Sequence, residues 1–173
     1  GRAQERKLPG CSPGVVRCPE VNGVFLVRPI PLLLLMVACL PGQQTAGQVF
    51  DHAVRLQQAG KWGEAEQEYR SYLKRFGAHP EALANLGAVL VRQERFPEAV
   101  RAYVQALKLA PAGVPIRLNL GLAYFKSGQL APAVEQFTAV LEREPGHLQA
   151  RQLRAMCLLE LERYEEAARD YTE

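Results

Sequence analysis

Residues 80–113 read PEALANLGAVLVRQERFPEAVRAYVQALKLAPAG, and residues 114–147 read VPIRLNLGLAYFKSGQLAPAVEQFTAVLEREPGH. Laid one above the other, these two stretches of 34 residues put the same residue types in the same columns. Gly87 stands over Gly121, Ala99 over Ala133, Tyr103 over Phe137 and Pro111 over Pro145. The register runs on without a gap in both directions, to a row starting at Ala46 and a shorter one starting at Leu148. Self-similarity at a fixed period of this length marks a chain built from stacked copies of one small unit.

The columns show what that unit is. Column eight is always small (Ala53, Gly87, Gly121, Ala155), and column twenty is Ala65, Ala99, Ala133 and Ala167. Column eleven holds Leu56, Leu90, Tyr124 and Leu158. Column seventeen is large and apolar (Trp62, Phe96, Leu130, Tyr164), and column twenty-four is aromatic (Tyr69, Tyr103, Phe137, Tyr171). Each row reads as two helices divided by a turn at Gly60, Glu94, Gly128 or Glu162, the second helix ending near Gly77, Pro111 or Pro145. The pattern predicts helices over 48–59, 62–76, 80–93, 96–109, 114–127, 130–143, 148–161 and 164–172. Small side chains at columns eight and twenty let two helix axes approach closely. The aromatic at column twenty-four is expected to fill the space between one helix pair and the next. A lone pair has two apolar faces and can bury only one internally, so the rows must stack.

These columns resemble the tetratricopeptide repeat across residues 46–173. The resemblance implies an all-α fold, a right-handed superhelical solenoid of antiparallel helix pairs, with repeats at 46–79, 80–113 and 114–147 and an incomplete one at 148–173. Two rows depart from the pattern: His52 and Arg154 stand where a leucine is usual, and the first row lacks the terminal proline. The last row stops at Glu173, in mid-helix, so the natural protein is expected to continue. An enzyme domain further along, such as an O-linked glycosyltransferase, would make this segment a substrate-docking arm.

The same resemblance implies a concave groove lined by the first helix of each pair, at columns two, five, six, nine, twelve and thirteen. Column six carries Asn85 and Asn119, as in the asparagine ladder of the O-linked N-acetylglucosamine transferases and their bacterial relatives. A side-chain amide offers an acceptor and two donors, so it can pair with a peptide bond whatever residue carries that bond. The same asparagines can equally stay solvated. Leu122 and Phe125 would make the floor apolar, and Arg92 and Lys126 would form a basic rim, unless both are plain surface charges. A protein or peptide partner, as an extended strand or an amphipathic helix, suits such a groove. A carboxylate clamp of the chaperone-binding type is not expected, because Phe50, Val54, Pro115 and Asn119 occupy its columns.

Other functions find little support in the sequence. Five of the 21 Lys/Arg and two of the 18 Asp/Glu fall in residues 1–45, so the repeat region balances, sixteen charges of each sign. A nucleic-acid partner is therefore not expected, since it needs a positive stripe to displace counterions. There is no phosphate-binding glycine loop, no HExxH and no GxSxG. His79 and His147 lie more than one repeat apart, and Glu142, Glu144, Glu165 and Glu166 read as exposed helix charges. Cys11 and Cys18 are too widely spaced for a zinc knuckle, and Cys157 falls on an apolar face. No catalytic residue, cofactor, metal or small-molecule substrate is expected.

The first 47 residues stand outside the repeats. Residues 1–23 show no period and read as a disordered or non-native leader. Residues 30–40, IPLLLLMVACL, are about half the length of a membrane span. With Arg28 before them and small residues around Thr45–Gly47, residues 24–47 have the order of a secretory signal, cut after Gly47. Alternatively, Met36–Cys39 is a weak lipobox and Cys39 a lipid-modified N-terminus. Either form implies export to a periplasm, envelope or exterior, with membrane attachment in the lipidated case. If the apolar run is neither, and belongs to a buried segment, the chain is cytoplasmic.

Overall fold

The computed structural model describes residues 44–172. The leader, the apolar run and Cys11, Cys18 and Cys39 lie outside the described residues. Eight helices follow in order: α1 (Ala46–Gln58), α2 (Trp62–Phe76), α3 (Pro80–Arg92), α4 (Phe96–Leu109), α5 (Val114–Lys126), α6 (Leu130–Leu141), α7 (Leu148–Glu160) and α8 (Tyr164–Thr172). They pair as α1/α2, α3/α4, α5/α6 and α7/α8, one pair per row, and each pair packs on the next. No strand is present among the described residues.

Every turn within a pair is closed in the same way. The backbone N–H groups of Lys61, Arg95, Gln129 and Arg163 donate to the carbonyls of Leu56, Leu90, Tyr124 and Leu158 at 3.0, 3.0, 2.9 and 2.8 Å. This bond needs a left-handed residue just before the donor. Gly60 and Gly128 supply it at φ 72° and 74°, and Glu94 and Glu162 adopt it at 60° and 58°. Four copies of one left-handed turn recur at the same column of the period.

The first predicted helix starts two residues earlier than its pattern suggests. Thr45 caps α1 by accepting from the Gln48 N–H at 3.3 Å, while its own N–H donates to Gln48 Oε1 at 2.9 Å. A cut after Gly47 would remove this reciprocal cap, which contributes about 1 kcal/mol.

Between the pairs, the backbones of α1 and α3, α3 and α5, and α5 and α7 approach closely, whereas among the described residues no even helix brings its backbone as near the next even one. The odd helices therefore stand closer together and line the inner side of the stack. On the outer side, polar groups tie the pairs instead. Arg95 donates to Glu66 and Glu98 at 2.7 Å, and Arg70 to the same two acids at 2.9 and 3.1 Å. Burial pushes the Glu66 carboxyl up, but the bonds from Arg70 and Arg95 outweigh it and hold the group below the usual carboxylate range.

The column-twenty alanines Ala65, Ala99, Ala133 and Ala167 are all buried at the helix contacts. The aromatic column reaches the next pair, Phe137 clustering with Cys157 and Leu158, and also fills a space within its own pair. A Cβ built on Gly87 would lie 2.8 Å from ring atoms of Tyr103, and one on Gly121 2.6 Å from Phe137. Each ring thus lies across the glycine of its own hairpin, in space that only a missing side chain leaves. Tyr171, in the last row, is exposed.

At the two departures from the leucine column a polar contact replaces the apolar one, and the second is an ion pair. His52 Nδ1 lies 3.6 Å from Glu68, and Arg154 donates to Asp170 through Nε at 2.7 Å and again through Nη2. In the second row the same two columns hold Leu86 and Ala102. A buried carboxylate needs a partner, and only a long cation from the facing helix reaches it.

Candidate functional site

On the inner side, α3 and α5 enclose a cleft of about 510 Å³. Its position follows from the helix order, because the column-nine and column-thirteen side chains of successive first helices face each other there. Ala88, Val91 and Leu122 make the apolar part. Arg92, Lys126 and Asn119 stand around it, with Glu94 at the turn and Phe96 and Tyr103 from α4. Four of the residues expected in the groove, Asn119, Leu122, Arg92 and Lys126, are therefore brought together.

The other two are placed elsewhere. Phe125 is half-buried against the cluster of Ala133, Val134, Phe137 and Cys157, so its ring serves the core between α5, α6 and α7. Asn85 is already engaged. Its amide hydrogen-bonds the Tyr69 phenol, which in turn donates to Gln57 Oε1 at 2.8 Å. Burial pushes the Tyr69 phenol up to about 12, the Asn85 bond offsetting part of the rise. The ladder of two asparagines is thus one lock and one open amide.

Tyr103, in the same column as Tyr69, is a residue the sequence reading did not assign to the groove. It is buried yet lines the cleft. Val91 stands in the column where Gln57 receives the Tyr69 proton, so Tyr103 has no such acceptor. Among the described residues neither the Tyr103 hydroxyl nor the Asn119 amide has a hydrogen-bond partner. The signal was in the columns, in the loss of Gln at column twelve beneath a retained tyrosine.

The rim cations also differ in their surroundings. The Arg92 guanidinium sits 5.7 Å from the ring centroid of Trp62, a cation–π contact that fixes it at the edge of the cleft. Neither Arg92 nor Lys126 makes an ion pair among the described residues, whereas Arg70, Arg95 and Arg163 all do.

A second, smaller furrow of about 360 Å³ runs on the outer side between α2 and α4. Leu83, Leu86 and Leu90 form its floor, and the paired Arg70 and Glu98 part of its wall. Cys157 is buried, and burial with the nearby Glu160 charge pushes its thiol up to about 11, which makes it an inert packed side chain. No group of three or more metal-ligating side chains comes together among the described residues. No helix among them is long and apolar enough to cross a membrane.

Comparison with known proteins agrees with the repeat fold. A family profile described as tetratricopeptide repeat matches residues 118–173, and another described as TPR repeat matches residues 87–128. A probable UDP-N-acetylglucosamine–peptide N-acetylglucosaminyltransferase, SPINDLY, of Hordeum vulgare is 27% identical over 106 residues, 61% of this chain and 11% of its own. Intraflagellar transport protein 70A1 of Mus musculus is 31% identical over 64 residues, 37% of this chain and 10% of its own. The chain spans about a tenth of the length of these curated relatives. Among solved structures, MamA of Desulfovibrio magneticus superposes with a TM-score of 0.71 at 22% identity, over 74% of this chain and 72% of that one. A tetratricopeptide repeat protein of Parabacteroides merdae gives 0.69 at 22% identity, over 73% and 51%. These two structures share the fold.

Proposed function

Because the chain belongs to the tetratricopeptide repeat family, we propose that it is a protein-interaction scaffold whose partner polypeptide lies in the cleft between α3 and α5. The observation that carries this reading is the cleft itself. It combines an apolar floor at Val91 and Leu122 with an open amide at Asn119 and two uncompensated cations at its rim. An apolar floor supplies burial, and a few polar groups fix orientation and specificity. Nothing in this arrangement activates a nucleophile or shifts an acid towards neutral pH, so we read it as a binding module rather than an enzyme.

A photo-crosslinking residue placed at Leu122 in the full chain tests the reading. The expected result is a discrete crosslinked polypeptide from Leu122 and none from the same probe at Gln105 on the outer furrow. Crosslinks from Gln105 alone would contradict it.

A second reading, a substrate-docking arm of a larger glycosyltransferase, draws support from the Hordeum vulgare match. The length of the natural open reading frame separates the two. Export through the apolar run belongs to the same proposal. A form processed at Cys39 keeps the Thr45 cap of α1, which a cut after Gly47 would lose. Mass spectrometry of the mature N-terminus decides between them, and a retained leader would contradict both.

A further inference from the structure

Column twenty-four of one row meets column six of the next, and the residue types at that joint change together. At the first joint Tyr69 faces Asn85, whose amide donates to its phenol. At the third joint the ring is Phe137 and column six is Leu153, which packs on the apolar cluster that holds Phe137. A hydroxyl goes with an amide and a bare ring with a leucine, so each joint is closed by a matched pair. The second joint keeps the polar types, Tyr103 and Asn119, and both line the cleft between α3 and α5. There the bond between them is not made. The two residues differ in freedom. The Tyr103 ring is 2% exposed and lies across Gly87, which holds it in place. Asn119 is only half-buried, and its amide turns about two side-chain bonds. Turned towards α4, it makes the bond that Asn85 makes; turned outwards, it offers the same donors to whatever lies in the cleft.

We infer that Asn119 is a latch: in the empty chain it closes onto Tyr103, and a polypeptide entering the cleft must draw it away. This rests on the binding reading above. Tyr103 is then an internal competitor, which steadies the joint between the second and third pairs and weakens binding by the same bond. The other joints have no such choice. Gln57 also holds Tyr69 at the first, and Phe137 and Leu153 have no polar group to exchange at the third.

The test starts from random dodecapeptides displayed on phage and selected on the full chain. Tyr103→Phe keeps the ring over Gly87 and removes only the phenol oxygen. It is expected to lower the urea midpoint of the free chain and, at the same time, to tighten a selected peptide. The gain should be about 2- to 10-fold, the range that one neutral hydrogen bond contributes. Damage to the fold would weaken both, so the opposite signs identify the latch. Tyr69→Phe, at the first joint, should lower stability and leave affinity unchanged. In NMR spectra Tyr103→Phe should shift the Asn119 side-chain amide of the free chain and leave it unmoved in the peptide-saturated chain. Selected peptides that are lost on Leu122→Arg yet bind Tyr103→Phe no more tightly than the unchanged chain would overturn the latch alone. Selected peptides that ignore Leu122→Arg, or a selection that returns none, would overturn the groove reading and the latch with it.

Discussion

Replacing Gly121 by Ala puts the packing scheme to a test in which two known effects have opposite signs. In an open helix the change stabilises by up to about 1 kcal/mol, because Ala loses less backbone freedom than Gly. Here the new Cβ would lie 2.6, 2.9 and 3.0 Å from Cε1, Cδ1 and Cζ of Phe137, and an ordinary carbon contact is about 3.5–4.0 Å. The ring must move by about 1 Å, and it is fully buried, with Val134 and Cys157 in the same cluster. Overpacking of this kind costs about 1–3 kcal/mol. Rows one and four carry Ala53 and Ala155 in the same column, so a hairpin can be set wider, and the lower half of that range applies. The net expectation is a loss of about 1 kcal/mol, or a melting midpoint about 3–5 °C lower. Gly63, in the first turn of α2, meets nothing within 4 Å, and Gly63→Ala should be neutral or stabilising. Thermal and urea unfolding of the two variants read the difference directly. A Gly121→Ala variant that gains stability as Gly63→Ala does would refute the placement of Phe137 on the glycine.

Other consequences are equally open to measurement. Glu162→Gly should raise the urea midpoint by up to about 1 kcal/mol of stability, since its φ of 58° costs a side-chain-bearing residue about 1–2 kcal/mol. Gly128→Ala should lower it. Asp170→Asn alone should destabilise by about 1–3 kcal/mol, because it leaves the Arg154 guanidinium with a weaker partner. Arg154→Leu with Asp170→Ala, which copies Leu86 and Ala102 of the second row, should be near neutral. The Glu66 carboxyl is depressed in the fold, so its contribution is present above the unfolded value and is lost as pH falls through the folded one. Glu66→Gln should therefore flatten the decline in melting temperature below the ordinary carboxylate range, and an unchanged slope would remove the group from that account. Asn119→Ala should weaken partner binding about 3- to 10-fold with stability intact, whereas Asn85→Ala should cost stability through Tyr69.

Helices, turns and close contacts were legible because the period repeats every local signal. Gly60 and Gly128 announce a left-handed turn, and once the register is set Glu94 and Glu162 must share it despite carrying side chains. What the columns could not show is which neighbour a side chain chooses. Phe125 falls on a groove column yet also packs, half-buried, against the core cluster of α6 and α7. Asn85 and Asn119 look equivalent in one dimension, yet Asn85 meets a Tyr69 that Gln57 also holds, while Asn119 lines a cleft where Val91 stands in the column of Gln57. The His52 and Arg154 departures read as defects until the facing helix supplies Glu68 and Asp170. Each of these depends on a pair of columns from different helices, which a row-by-row reading does not join.

The central claim is that the inner cleft between α3 and α5 receives the partner. Methyl-resolved NMR of the full chain, titrated with a peptide selected on it, tests this most directly. The account predicts saturable shifts at the Val91 and Leu122 methyls and the Asn119 side-chain amide, with Leu73 and Leu83 on the outer furrow unmoved. Shifts confined to Leu73 and Leu83, with the cleft signals unchanged, would contradict it.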